Sequence, residues 1–335
     1  MSKPRVFVTR LILESGLHLI RDFCEADIWP EELPPSRQAI LENVPGMDGL
    51  LCLLTDQIDS EIMDAAGAGL KVISNHAVGV DNVDVAAASA RGIAVGNTPG
   101  ILTDATADIT FALLLAAGRR IAEGERLVKS GGWKTWGPAF MLGADLAGAT
   151  LGIVGFGRIG RAVARRAVGF GMRIIFSDPT QATPEPGVNA AQVDLDTLLR
   201  EADFISLHTP LTDDTRGLIN ADTLGRMKAT AVLINTSRGP VVDQQALYEA
   251  LASKRIFAAA LDVTVPEPLP VDHPLLTLDN CLIVPHIASA SWRTRERMSL
   301  MAAENLIAGL KGERLPNCVN PEVYEHPQMD TKSTK

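Results

Sequence analysis

Short apolar runs separated by longer stretches with helical spacing recur along this chain. Val6-Phe7-Val8, Gly49-Leu50-Leu51-Cys52-Leu53-Leu54, Val72-Ile73-Ser74 and Ile93-Ala94-Val95 have the length and aliphatic content of strands. Alternating with helix-like segments, they predict a first, small α/β unit. Thr98-Pro99-Gly100 breaks the pattern; Pro99 suits the first helical position, and a long apolar helix is expected from Ile101. A second alternation predicts six strands, ending near Gly155, Ser177, His208, Asn235, Asp262 and Pro285, with crossovers suited to a parallel, doubly wound sheet. Trp292 to Leu310 reads as a closing helix and the polar tail after Tyr324 as mobile. The fold class is therefore α/β, with a doubly wound parallel sheet and a second, smaller unit.

Composition narrows the partners. The chain has 335 residues, 46% hydrophobic and 4% aromatic, enough to bury two aliphatic cores. A net charge of −9 disfavours nucleic acid and anionic membranes. Cys24, Cys52, Cys281 and Cys318 lack C-x-x-C spacing, and Met1-Ser2-Lys3-Pro4-Arg5 leads into a short strand rather than an apolar signal. A reducing cytoplasm and no metal are expected. The most apolar helix, around Ile109 to Ala117, is bracketed by Asp104, Asp108 and Arg119-Arg120, so no run approaches the roughly 18 to 20 residues that span a bilayer.

Candidate chemistry begins at Leu151-Gly152-Ile153-Val154-Gly155-Phe156-Gly157-Arg158-Ile159-Gly160. A G-x-G-x-x-G closes an apolar strand here and opens a helix whose Ile159, Val163, Ala167 and Phe170 share one face. Gly155 permits the tight turn, Gly157 lets backbone approach a pyrophosphate, and Gly160 lets helix and strand pack. Such a Rossmann turn predicts a dinucleotide. Asp178, 21 residues after Gly157, ends the next strand, where a carboxylate accepts from both ribose hydroxyls and repels a 2′-phosphate. Arg173 and Lys228 are the nearest cations expected and form no basic cluster beside Asp178, so NAD(H) is preferred over NADP(H). The other reading of Asp178 is a turn cap before Pro179.

Ligands in such sheets sit beyond the carboxyl ends of the strands, where Asp178, His208, Asn235 to Arg238, Asp262, Glu267 and His286 fall. Carbonyl reduction needs a proton donor near neutrality, and His286 is the candidate acid. A carboxylate on its other ring nitrogen, Glu267 in Pro266-Glu267-Pro268, would orient it and favour its protonated form. Arg238 could clamp a substrate carboxylate. From pattern alone, each has a plainer reading: a strand-end histidine, a rigid Pro-Glu-Pro turn, a surface arginine. His208 is expected to satisfy strand-end hydrogen bonds near the cofactor, and His18, His273 and His326 to lie on the surface or in loops.

Gly155 to Gly160 with Asp178, Asn-Thr-Ser-Arg-Gly-Pro-Val-Val-Asp at 235–243, Ala-Leu-Asp-Val at 260–263, Pro266-Glu267-Pro268 and Pro285-His286-Ile287-Ala288-Ser289 occur in this order. Together they resemble the D-isomer-specific 2-hydroxy-acid dehydrogenases over nearly the whole chain. The segments 74–82 and 97–108 look most like the glyoxylate/hydroxypyruvate reductase (glycerate dehydrogenase) branch. The resemblance implies a Rossmann NAD-binding domain over 100–287 and a smaller flavodoxin-like substrate domain from 1–99 and 288–335. It implies Arg238, Glu267 and His286 as catalytic residues. For the cofactor it implies Thr103, Gly155, Gly157, Arg158, Ile159, Gly160, Asp178, His208, Thr209, Pro210, Thr236, Ser237, Arg238, Asp262 and His286, with Asp262 orienting the carboxamide. For the substrate it implies Leu53, the Val78 and Gly79 amides, Arg238 and His286. It further implies a homodimer in which Trp136 reaches the neighbouring site; the plainer reading of Trp136 is a buried anchor of the dimer interface. Relatives with cations after the second strand prefer NADPH; Ser177-Asp178-Pro179-Thr180 departs from that and favours NADH.

The expected reaction is reduction of a small 2-oxo acid, glyoxylate or hydroxypyruvate, with domain closure about Thr98-Pro99-Gly100 and Ile287 to Ser291 excluding water. Two rivals stand: a family member acting on lactate-like acids, phosphoglycerate, formate or phosphite, and an NAD-sensing corepressor-like binding protein. Feedback control through the extra regulatory domain of some phosphoglycerate dehydrogenases is not expected.

Overall fold

The computed structural model describes residues 2–325; His326 and most of the polar tail lie outside the described residues. Two compact units emerge, one of Met1–Leu102 with Ser291–Lys335 and one of Thr103–Ala290. These boundaries fall at 102/103 and 290/291, three residues past the expected ones.

The first unit is a five-stranded parallel sheet: β1 (Arg5–Val8), β2 (Glu25–Ile28), β3 (Gly49–Cys52), β4 (Val72–Asn75) and β5 (Ala94–Gly96), in the order β2-β1-β3-β4-β5. That is the flavodoxin-type order. Helices α1 (Glu14–Phe23), α2 (Arg37–Asn43), α3 (Ser60–Ala66) and α4 (Val85–Ala90) connect the strands. Strands β3, β4 and β5 are buried along their whole length because helices cover both faces, which is why they appear as unbroken apolar runs. β2 does not, and no apolar run marks it. Its Glu25-Ala26-Asp27-Ile28 alternates exposed and half-buried positions at the sheet edge, where charges are tolerated and guard against pairing with other chains.

The second unit holds seven parallel strands: β6 (Thr150–Val154), β7 (Arg173–Ser177), β8 (Ala190–Gln192), β9 (Phe204–Leu207), β10 (Val232–Asn235), β11 (Ala258–Leu261) and β12 (Cys281–Ile283). Their order, β12-β11-β10-β9-β6-β7-β8, is the dinucleotide-binding order with one added strand, reversing direction between β6 and β9. Six strands were expected; the seventh, β8, is again a half-exposed edge. Its helices are α5 (Thr103–Gly118), α6 (Ile121–Lys129), α7 (Arg158–Gly169), α8 (Leu195–Glu201), α9 (Ala221–Arg226) and α10 (Gln244–Ala252). A final helix, α11 (Trp292–Lys311), belongs to the first unit and packs against α1, with Gly16 so close that a Cβ there would lie 2.6 Å from the Ser299 carbonyl oxygen.

The entry to α5 differs from expectation. The helix begins at Thr103, so Pro99 lies outside it, and Gly100 adopts φ +82° in the intervening turn. Phe170 likewise caps α7 instead of continuing its buried face; it is 40% exposed and stacks on Phe111. No helix among the described residues is long and apolar enough to cross a membrane.

Candidate active site

The turn after β6 is shaped by glycine. Gly155 has φ +90°, and a Cβ on it would lie 2.6 Å from the His208 carbonyl oxygen, so the turns after β6 and β9 meet backbone to backbone. A Cβ on Gly160 would sit 2.2 Å from the Gly155 carbonyl oxygen, which is why α7 can start so close to its strand. Gly157 is different: a Cβ there would meet nothing within 4 Å. The α7 N-terminus, with Arg158 and Ile159 in its first turn, therefore opens onto free space where its amides and dipole favour an anion. The residues present fit a dinucleotide pyrophosphate.

Asp178 sits at this opening. Its Oδ2 accepts from the Phe156 amide at 2.7 Å, and its Oδ1 accepts from the Thr180 amide and hydroxyl at 2.9 and 2.6 Å. It thus caps its own turn and ties it to the glycine loop. Partial burial raises the carboxyl pKa, but the Thr180 hydroxyl, the two amides and the Arg161 charge together hold it below the ordinary value. The cation acting on Asp178 is Arg161, not Arg173 or Lys228, which pair with Glu201 and Asp203. Arg161 was overlooked because it is reached through the helix: it stacks over Phe156 and donates to the Phe156 and Thr183 carbonyls.

The carboxyl ends of β10, β11 and β12 bring three reactive groups to the same edge of the sheet. Asn235 ends β10 and organises the loop after it: its Nδ2 donates to the Arg238 carbonyl at 2.8 Å, and its Oδ1 accepts from the Ser237 amide and hydroxyl at 3.0 and 2.8 Å. Thr110 of α5 holds the neighbouring Thr236 hydroxyl at 3.0 Å. Arg238 emerges half-buried from this loop. His286 follows β12 with φ +52°, a left-handed conformation that costs a non-glycine residue about 1 kcal/mol or more. It is kept there by its amide, which donates to the Asp262 carbonyl, and by the Asp262 carboxylate, which accepts from the Ile287 and Ala288 amides at 2.6 and 2.9 Å. Burial raises the Asp262 pKa despite these bonds.

His286 Nδ1 and Glu267 Oε2 lie 2.9 Å apart, both side chains about three-quarters or two-thirds shielded. The other Glu267 oxygen accepts from the Thr264 amide at 2.9 Å. Burial raises the Glu267 pKa, yet the His286 bond and charge, the Thr264 amide and the Arg238 charge outweigh it and keep the carboxyl below its usual range. With Nδ1 directed to a carboxylate, Nε2 is the nitrogen left to meet a ligand.

Among the described residues, the other histidines each have a partner of their own. His208 bonds Ser206 Oγ through Nε2 at 2.7 Å, its Nδ1 is buried with no partner among the described residues, and burial pushes its pKa down to about 3. His76 is buried against Ser299 Oγ at 3.2 Å, and burial first, then the Arg295 charge, brings its pKa down to about 4. His18 is exposed beside Asp22, and His273 caps the Leu275 amide. In the first unit, Leu53 donates its amide to Asp56, while the Val78 and Gly79 carbonyls accept from Asn97 and Asn75. Trp136 is 76% exposed.

Thr110, Gln244 and Thr264 were missed in the sequence because their partners are distant in the chain or are backbone groups. Asn235 followed two residues later by Ser237 was the one legible signal, since Asn bonds its own backbone two residues on.

Residues 111–288 match the family described as D-isomer specific 2-hydroxyacid dehydrogenase, NAD binding domain. A glyoxylate reductase of Korarchaeum cryptofilum is 54% identical over 96% of this chain and 98% of its own length. The glyoxylate reductase/hydroxypyruvate reductase of Homo sapiens is 49% identical over 93% of this chain and 97% of its own. Among solved structures, an NADPH-dependent glyoxylate/hydroxypyruvate reductase from Sinorhizobium meliloti, in complex with NADP and malonate, is 32% identical with a TM-score of 0.82, covering 96% of this chain and 98% of that one. The glycine turn, the Glu267–His286 pair and likeness over nearly the full length of both chains agree: this chain belongs to the D-isomer specific 2-hydroxyacid dehydrogenase family.

Proposed function

We propose that this chain reduces a small 2-oxo acid, glyoxylate or hydroxypyruvate or both, to the 2-hydroxy acid, using NADH in preference to NADPH. The observation that carries this reading is the Glu267–His286 bond at the sheet edge that also bears the open glycine turn. Bound nicotinamide supplies hydride to the carbonyl carbon. His286, oriented through Nδ1 by Glu267, hands the carbonyl oxygen a proton from Nε2. Arg238 grips the substrate carboxylate through its planar fork and polarises the carbonyl; in the first unit, Leu53 and the Val78 and Gly79 amides are the substrate-binding residues of this reading.

In this reading the unit of Thr103–Ala290 is the cofactor domain and the unit of Met1–Leu102 with Ser291–Lys335 the substrate domain. Gly155, Gly157, Arg158, Ile159 and Gly160 hold the pyrophosphate. Thr103, His208, Thr209, Pro210, Thr236, Ser237 and Asp262 complete the cofactor site. Asp178, held as an anion, favours a free ribose 2′-hydroxyl over a 2′-phosphate. Trp133, Trp136, Phe140 and Leu142 are 46–76% exposed within one short stretch, which supports a homodimer covering it.

Cofactor oxidation against a panel of 2-oxo acids tests the reading. The highest kcat/KM is expected for the two- and three-carbon acids with NADH; turnover of neither, or a ratio favouring NADPH, overturns the corresponding part.

A further inference from the structure

The loop that carries Glu267 has little regular structure to hold it, yet the Oε2 atom of that residue must stay within bonding distance of His286. Its anchor is on a helix. Gln244, the first residue of α10, donates from Nε2 to the Val265 carbonyl at 2.5 Å and accepts at Oε1 from the Val265 amide at 2.7 Å. One side-chain amide thus satisfies both backbone groups of a single loop residue, as a neighbouring strand would. Asp243 caps α10 by accepting from the Gln245 and Ala246 amides, so the helix end presenting Gln244 is itself fixed. Inside the loop, the Thr264 amide bonds Glu267 Oε1 and the Thr264 hydroxyl bonds the Pro266 carbonyl at 2.9 Å. Next to it, Gly239 packs so tightly that a Cβ would lie 2.1 Å from the Thr264 carbonyl oxygen, which joins the loop to the residue after Arg238.

We propose that Gln244 is a positioning residue for proton transfer, acting through Val265 and Thr264 to hold Glu267 at His286 and in register with Arg238. The inference rests on the catalytic reading of the Glu267–His286 pair. Gln244 touches neither of those side chains. Its effect is therefore geometric: with the clamp removed, the Glu267 carboxylate drifts, the imidazole loses its fixed orientation, and misplacement on the order of 1 Å costs up to about a hundredfold in rate. The charged groups around the pair, Glu267, Asp262 and Arg238, are all unchanged by the substitution.

Gln244→Met keeps the length of the side chain and removes both hydrogen bonds. In the full-length enzyme, kcat per folded site is expected to fall about tenfold or more, with the NADH dissociation constant unchanged and the solvent deuterium isotope effect on kcat increased. Gln244→Glu retains the acceptor to the Val265 amide and is expected to lose less. The deciding measurement is the cycle with Glu267→Gln: once the carboxylate is gone, Gln244→Met costs little more, because both act through one pair. Full multiplication of the two losses, or a Gln244→Met enzyme with normal kcat beside a crippled Glu267→Gln enzyme, overturns the inference alone. A Glu267→Gln enzyme with normal kcat overturns the catalytic reading beneath it. If Gln244→Met fails to fold, the same cycle is run with Gln244→Glu.

Discussion

The two sheets share one construction principle and treat its most useful place in opposite ways. Each reverses strand order at a switch point, between β1 and β3 in the first unit and between β6 and β9 in the second, and each thereby leaves a crevice beyond the strand ends. In the first unit the crevice is filled. Thr9, just after β1, donates its hydroxyl to Asp56 Oδ2 at 2.5 Å, and the same carboxylate oxygen takes the Leu53 amide; Thr9 and Asp56 are at most 2% exposed. Asn82 closes the remainder, donating to the Leu53 and Asp56 carbonyls. In the second unit the equivalent turn is glycine, and space remains beside Gly157. Doubly wound topology therefore offers a site without making one; side chains at the switch point decide whether it is plugged or left open.

The largest effect that would sharpen this contrast comes from the open edge. His286→Ala is expected to lower kcat on the order of 10² to 10⁴-fold with NADH affinity nearly unchanged, as measured by steady-state rates and fluorescence titration. Near-normal turnover would mean that the edge of the second sheet binds without reacting. Next, Gly157→Val places a branched side chain in the open space, its Cβ meeting nothing in the protein within 4 Å. NADH affinity should drop at least about tenfold, some 1.4 kcal/mol, while stability changes by about 1 kcal/mol or less. Equal losses of binding and stability would show that the turn is packed after all.

The filled crevice should respond the other way. Asp56→Ala leaves the Thr9 hydroxyl and the Leu53 amide without their acceptor, so denaturant unfolding should show a loss of about 1 to 3 kcal/mol. NADH affinity should not move. A variant with wild-type stability would mean that the Thr9–Asp56 contact is incidental and the first crevice is not plugged by it.

The same contrast explains what could be read from the chain. Central strands such as β4 and β10 are buried on both faces, so their composition alone betrays them, whereas β2 and β8 lie at edges and carry the polar residues that edges need. The glycine turn was legible because its chemistry is local: three glycines, a strand before and a helix after. The contacts that hold the loops after β10 and β11 were not. Gln244 and Thr110 gain their meaning from Val265 and Thr236, 21 and 126 residues away, and no periodicity encodes such pairs. The first unit's plug was invisible for the same reason, since Thr9 and Asp56 are 47 residues apart and each looks like an ordinary loop residue.

Asp178 lies on the lip of the open crevice, and the smallest expected effect concerns it. Its folded-state pKa is lowered, since the Thr180 hydroxyl, the Phe156 and Thr180 amides and the Arg161 charge outweigh the opposing effect of burial. A lowered carboxyl contributes stability that is fully present above its unfolded pKa, near 3.9, and is lost as pH falls through the folded value. Asp178→Asn cannot titrate. Thermal unfolding of the wild type should therefore fall more steeply than that of Asp178→Asn below about pH 4, with the two curves parallel at neutral pH. At neutral pH the same variant should lose discrimination against NADPH, because the charge that repels a 2′-phosphate is gone. Parallel acid curves with an altered cofactor ratio would assign Asp178 to the ligand alone; altered acid stability with an unchanged ratio would make it a turn cap, and the open crevice would then choose its cofactor by some other group.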